Sequence, residues 1–261
     1  MQKYLSPLAA VLLIITMSFS GCQVAENIWR EFSYGFTDHT RGEMVVMAFA
    51  QENGLRYSDY PDSLIQLLDR NPETSVFVTE YPLKKDLRIE PDLSAYSRDT
   101  VPLFLQWDQQ WGYIPYGSDV AGLTACGPVC LSMAAYYLTG DPAMSPDRII
   151  DFAIKNGYCI PGNGTSWSLI SEGGKKLGFR VTELPLHKNT IEGYLEEGWP
   201  IICIMGPGDF TTSGHFIVLA GVEEDGFVVN DPNSKANSRQ RWTYEQIQDQ
   251  VRNLWVIQPG E

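Results

Sequence analysis

Basic charge is scarce in this chain: 19 Lys and Arg stand against 32 Asp and Glu, a formal net charge of −13. Nothing in that balance supplies a footprint for nucleic acid. An acidic surface also lacks electrostatic grip on anionic lipid headgroups. Histidine is scarcer still, with three in 261 residues, and the five cysteines show no short metal-ligand spacing. That combination argues against a zinc site, and no metal or cofactor is expected. No apolar run reaches the roughly 20 residues that a spanning helix needs. Internal repeats and low-complexity tracts are missing, which sets repeat architectures aside. What is present is 44% hydrophobic, 12% aromatic and 20% charged, the composition of an ordinary globular protein. The length suits one large domain, or one medium domain with an appendage.

The N-terminus carries Lys3, an apolar run over residues 8–17, and then Phe19-Ser20-Gly21-Cys22. The run is too short to cross a bilayer, so residues 1–22 read as a secretory signal. Their end resembles the lipobox of bacterial lipoproteins, in which the cysteine is diacylated and becomes the new N-terminus, although Phe19 replaces the usual aliphatic residue. The resemblance implies lipidation at Cys22 and export to the outer face of the bacterial cell membrane. Two acyl chains supply the double signal that stable anchoring requires. Plain cleavage without lipid, or an uncleaved signal anchor, are the alternatives. An exported chain permits disulfides, but no pair is assignable among Cys126, Cys130, Cys159 and Cys203. Cys130 and Cys203 sit in apolar runs, as small core residues do.

Residues 23–100 read as a spacer with short helices and no evident chemistry. An apolar cluster over residues 43–52 ends near Gly54. Tyr60-Pro61-Asp62-Ser63 opens a short helix bearing Leu64, Ile65, Leu67 and Leu68, which Asn71-Pro72 closes. Residues 74–79 suit helix or strand, and residues 81–99 read as an extended connector. The main domain spans residues 101–261. It begins with a strand-like run at residues 103–105. Helices follow at 126–138, 146–155, 166–177 and 190–197, the last stopped by Gly198. The pattern then turns to strands at 201–205, 215–222, 227–230 and 254–258, with a helix at 244–252 between the last two. Helices first and an antiparallel sheet afterwards make an α+β domain.

Four pieces carry chemistry. Cys126, in Thr124-Ala125-Cys126-Gly127-Pro128, opens an apolar helix. Free N–H groups and the helix dipole favour negative charge there. A thiol so placed can fall from about 8.5 to roughly 3.5–7.5 and become the reactive thiolate. Gly127 leaves room for a substrate backbone. The alternative is a buried cysteine at a helix start. His215 stands at the mouth of an apolar strand, behind the glycine-rich loop that ends in Gly214, whereas His39 and His187 read as surface residues. Glu223-Glu224-Asp225-Gly226 reads as a hairpin turn that brings His215 near Asn230-Asp231-Pro232. A carboxylate beside the imidazole fixes its tautomer, which favours Asp231 over Asn230. A one-residue slip in register exchanges the two. Gln106 follows the 103–105 run and offers a side-chain donor for an oxyanion, alongside the Cys126 N–H. Gln109 and Gln110 rival it by residue type. Trp107, Trp111, Tyr113, Tyr116 and Trp167 lie on segments expected to border the cleft. Each suits either gripping a substrate or packing the core.

Gln106 within Pro102-Leu103-Phe104-Leu105-Gln106-Trp107-Asp108, then Ala125-Cys126-Gly127-Pro128, then Gly214-His215-Phe216-Ile217-Val218-Leu219 and Val229-Asn230-Asp231-Pro232 resemble the bacteriocin-processing (double-glycine) peptidase-like family, a papain-like group. The likeness spans residues 101–257. It implies a papain-like cysteine peptidase fold, N-terminal helices packed on an antiparallel sheet. It makes Cys126 the nucleophile, His215 the general base, Asp231 the group that orients the base and Gln106 the oxyanion donor. Substrate contacts are expected from Gly127, Trp107, Trp167 and Gly214. The founding members are peptidase domains on export transporters, and their Gly-Gly leader specificity is not carried over. The expected partner is a peptide, a protein or a cell-wall peptide. Two rivals stand beside proteolysis: a cell-wall amidase or acyltransferase, and a catalytically inactive peptide- or wall-binding lipoprotein.

Overall fold

The computed structural model describes residues 39–260. The signal at 1–22, the anchor at Cys22 and the first part of the 23–100 spacer lie outside the described residues. The chain divides into two compact units between Leu83 and Lys84. Among the described residues, no helix is long and apolar enough to cross a membrane.

The first unit is helical. Helix α1 (Arg41–Asn53) starts at a capping box in which the Thr40 hydroxyl accepts from the Glu43 N–H and the Glu43 carboxylate accepts from the Thr40 N–H. Such a cap contributes about 1 kcal/mol. Gly54 ends the helix in the left-handed conformation, with φ 67°. Helix α2 (Asp62–Arg70) buries Leu64, Ile65, Leu67 and Leu68. The 74–79 segment, open to either reading in sequence, forms α3 (Ser75–Thr79).

Of residues 81–99, read from sequence as an extended connector, Tyr81–Lys84 form a helical turn and those from Lys84 onward cluster with the second unit. Leu93 joins its core, and the Arg98 guanidinium donates to the Tyr137 carbonyl. The ribbon β1 (Pro115–Tyr116) and β2 (Asp119–Val120) precedes one helical turn, α4 (Ala121–Thr124). Helices α5 (Cys126–Thr139) and α6 (Pro146–Lys155) follow. A second ribbon pairs β3 (Cys159–Ile160) with β4 (Gly164–Thr165). The helix expected over 166–177 is a π-helical turn, Leu169–Gly173, continued by α7 (Gly174–Lys176). Adjacent glycines let this segment approach the sheet: a Cβ on Gly174 lies 2.8 Å from the Val181 side chain.

The sheet has six antiparallel strands in the order β5-β10-β6-β7-β8-β9. They are β5 (Phe179–Glu183), β6 (Ile201–Met205), β7 (His215–Glu223), β8 (Gly226–Asn230), β9 (Arg241–Trp242) and β10 (Val251–Pro259). Between them lie α8 (Lys188–Glu196), α9 (Lys235–Arg239) and α10 (Tyr244–Ile247). Alternate residues separate two cores. Ile202, Ile204, Phe216 and Val218 pack with Val129, Leu131 and Met133 of α5. Ile201, Cys203, Ile217 and Leu219 pack with Ile191 and Leu195 of α8. This is the α+β arrangement expected from the order of helices and strands.

Three expectations are corrected. Residues 103–105 form no strand; the segment is tied down instead by the Asn230 amide, which donates to the Val101 and Pro102 carbonyls, and by the Gln106 N–H, which donates to the Pro232 carbonyl. The 244–252 helix stops at Ile247, because Val251 already pairs with Met205 in the sheet. Strand β5 was not anticipated: Arg180 and the two residues before Leu184 are exposed, which hides its Phe179 and Val181 face.

Candidate active site

At Ala125 the backbone (φ −100°, ψ 31°) leaves the helical region, and Cys126 becomes the first residue of a 14-residue helix. N–H groups in a first turn have no carbonyl partner within the helix. Here the Gly127 N–H is turned to the Cys126 sulfur, joined by the Phe216 N–H from β7. The thiol is partly exposed and free of disulfide. His215, the first residue of β7, is 7% exposed. Its Nε2 lies 2.7 Å from Asp231 Oδ1, which leaves Nδ1 as the nitrogen that meets the thiol hydrogen-bonded to this ring.

The electrostatics follow from these contacts. Burial pushes the Cys126 thiol up. The hydrogen bond and charge of His215, with the two backbone N–H groups, outweigh it, and the thiol titrates below its ordinary value. Burial pushes His215 down. The charge and hydrogen bond of Asp231, with those of Cys126, carry it up to about 10. A thiolate at Cys126 and an imidazolium at His215 would stabilise each other at this spacing.

Asp231 is 1% exposed, so its charge needs donors on both oxygens. Oδ1 receives His215 and, at 2.8 Å, the Asn233 N–H. Oδ2 receives the Asn237 amide at 2.8 Å. Asn230 points elsewhere, to the Val101 and Pro102 carbonyls. Asn237 was missed in sequence. Its sole signal there is a position six residues past Asp231, on the turn of helix that the Ser234 side chain caps.

Gln106 is 3% exposed. Its Nε2 donates to the Gly122 carbonyl at 2.9 Å, one turn ahead of Cys126, and an amide nitrogen carries a second hydrogen to give. Its rivals are engaged elsewhere: Gln109 accepts from Lys84 at 2.6 Å and Gln110 accepts from the Asp92 N–H at 2.7 Å.

The residues expected to touch substrate are distributed unequally. Gly127 is a correction: a Cβ there lies 2.8 Å from the Thr165 side chain. The missing side chain makes room for Thr165, whose hydroxyl bonds Tyr116 at 2.8 Å, and not for a ligand. Trp107 is buried, its indole N–H donates to the Asn233 carbonyl at 3.0 Å, and Lys235 sits over its ring. It braces the loop after Asp231. Trp111, Tyr113 and Tyr116 are buried. Trp167 is 46% exposed, edge-on to Trp255, and Gly214 is exposed with open space around it. His39 and His187 are exposed, as expected. Among the described residues, no cluster of three or more His, Cys, Asp or Glu is arranged to hold a metal.

Residues 98–258 match the Peptidase_C39 like family. Two solved structures are similar to part of this chain. One is the peptidase domain of Streptococcus ComA, a bi-functional ABC transporter involved in a quorum sensing pathway. It is 23% identical, with 51% of this chain and 90% of that one covered, at a TM-score of 0.40. The other is a putative C39-like peptidase from Bacillus anthracis, 15% identical, with 64% and 98% covered, at a TM-score of 0.38. No curated protein matches the chain.

Proposed function

The chain belongs to the Peptidase_C39 like family of cysteine peptidases, and on that premise we propose that it hydrolyses peptide bonds by thiol acyl transfer at Cys126, outside the cell and anchored through Cys22. The observation that carries the reading is the 2.7 Å bond from His215 Nε2 to Asp231, with the other ring nitrogen turned to a thiol at a helix start.

In this reading the Cys126 thiolate attacks the scissile carbonyl. The Gln106 amide and the Cys126 N–H donate to the oxyanion as it forms. The His215 imidazolium gives its proton to the leaving amine, and the C–N bond breaks to leave a thioester on Cys126. Neutral His215 then draws a proton from water, which attacks the thioester and releases the acid. Asp231 remains ionised and holds the ring throughout. Exposed Trp167 is suited to flank an extended peptide.

The test is digestion of a peptide library by the full chain, with products read by mass spectrometry and Cys126→Ala as control. Cleavage that depends on Cys126, with a transient acyl adduct on that residue, supports the reading. Release of muropeptides from purified wall without proteolysis moves it to a wall amidase. Peptide binding that survives Cys126→Ala, with no turnover by either form, moves it to a binding module. For the anchor, Cys22→Ala shifts the chain from the membrane fraction to the soluble fraction. An unchanged distribution removes the lipid from the account.

A further inference from the structure

We propose that Asn237 is a positioning residue of this site: its amide fixes the rotation of the Asp231 carboxylate, and through it the orientation of the His215 ring. This rests on reading Cys126, His215 and Asp231 as one acyl-transfer centre.

Both donors on Oδ1, His215 and the Asn233 N–H, hold a single oxygen. A carboxylate held at one oxygen still turns about its Cβ–Cγ bond. The donor on Oδ2 is the Asn237 amide, at 2.8 Å, and it defines the plane. Facing an ionised oxygen, the carboxamide must present its NH2 end. Asn237 is itself held from two sides. Its N–H donates to the Ser234 hydroxyl at 3.1 Å, and its carbonyl accepts from the Trp242 indole at 3.0 Å. Trp242 is buried, with its ring 4.5 Å from that of Phe210. A rigid chain of contacts therefore runs from the sheet, through α9, to the carboxylate. Groups that orient a reacting group have to be fixed in this manner to be effective. The titratable groups that act on the Asp231–His215 pair are Cys126 and, through its charge interaction with Asp231, Cys130, both from α5.

The experiment follows iodoacetamide alkylation of Cys126 against pH in the full chain, resolved by mass spectrometry, for wild type and Asn237→Leu. Leucine keeps the γ-branched shape, is somewhat bulkier, and removes the donor. The acid limb of the profile is expected to move up by about one pH unit, so labelling on that limb slows about tenfold. The ring N–H signal of His215 in proton NMR is expected to shift and to exchange faster. Asn237→Ser, too short to reach Oδ2, moves both readouts in the same direction, and it decides the matter if the leucine variant does not fold. Superimposed profiles with an unchanged ring signal, on an activated wild-type thiol, overturn the role of Asn237 and leave the acyl-transfer reading intact. A wild-type thiol of ordinary reactivity overturns that reading, and this proposal with it.

Discussion

Cys126 and Cys130 stand one turn apart on α5, and their thiols are driven in opposite directions. Burial raises Cys130 well above its ordinary value, and the charges of Cys126, Asp231 and Cys203 add to that rise. Cys126 also feels burial, but His215 and two backbone N–H groups reverse it. Same residue type, same helix, four residues of separation: the difference is made by position at the helix start and by one imidazole. A reactive cysteine is therefore a property of its surroundings. Cys130 is the built-in control, a thiol of the same helix without those surroundings.

The comparison breaks most sharply by deletion. Cys126→Ala is expected to abolish peptide hydrolysis, while Cys130→Ala keeps it and costs about 1–3 kcal/mol of stability, read by denaturant unfolding. His215→Ala is expected to slow turnover by about 10²–10⁴-fold, and to return the Cys126 titration toward that of an ordinary thiol. Gln106→Ala is expected to lower kcat by about 10²–10³-fold without moving the alkylation profile, because the proposed role of Gln106 is toward the oxyanion and not the thiol. With pH, activity is expected to rise through the lowered Cys126 titration, as thiolate forms, and to fall as His215 loses its proton near 10. A fall centred near 6.5, the ordinary histidine value, contradicts the ion pair. The smallest effect is structural. Gly127→Ala, crowding Thr165, costs about 1–3 kcal/mol, and Thr165→Ala in the same chain recovers most of it.

Much of the site was legible in sequence because its pieces are local. A thiol at a helix start, a histidine at a strand start and a hairpin between His215 and Asp231 can each be read from a few residues. What could not be read is which neighbour faces the ring, and a bulge decides it. From the turn, Glu223 pairs with Gly226, Val222 with Phe227 and Gly221 with Val228. An unbroken ladder continues to pair Leu219 with Asn230, which puts Asn230 on the His215 side. Instead Ala220 is an extra residue, Leu219 pairs with Val229 and Val218 with Asn230. Every later side chain changes face, so Asp231 shares the side of Ile217 and His215. No turn or propensity signal marks Ala220. Gly127 was misjudged for a related reason: a glycine's close approach is visible in sequence, but the group that fills the space, Thr165 from a distant ribbon, is not. Residue type alone does not separate Gln106 from Gln109 and Gln110; the resemblance points to Gln106, and the structure occupies its rivals with Lys84 and the Asp92 N–H.

The most direct measurement is the ratio of Cys126 to Cys130 alkylation within one sample of folded protein, followed from pH 5 to 10 with and without His215→Ala. The account predicts fast Cys126 labelling well below pH 8, negligible Cys130 labelling, and a ratio that collapses when His215 is removed. Equal, slow labelling of both thiols that rises only near the ordinary thiol value, unchanged by His215→Ala, contradicts it.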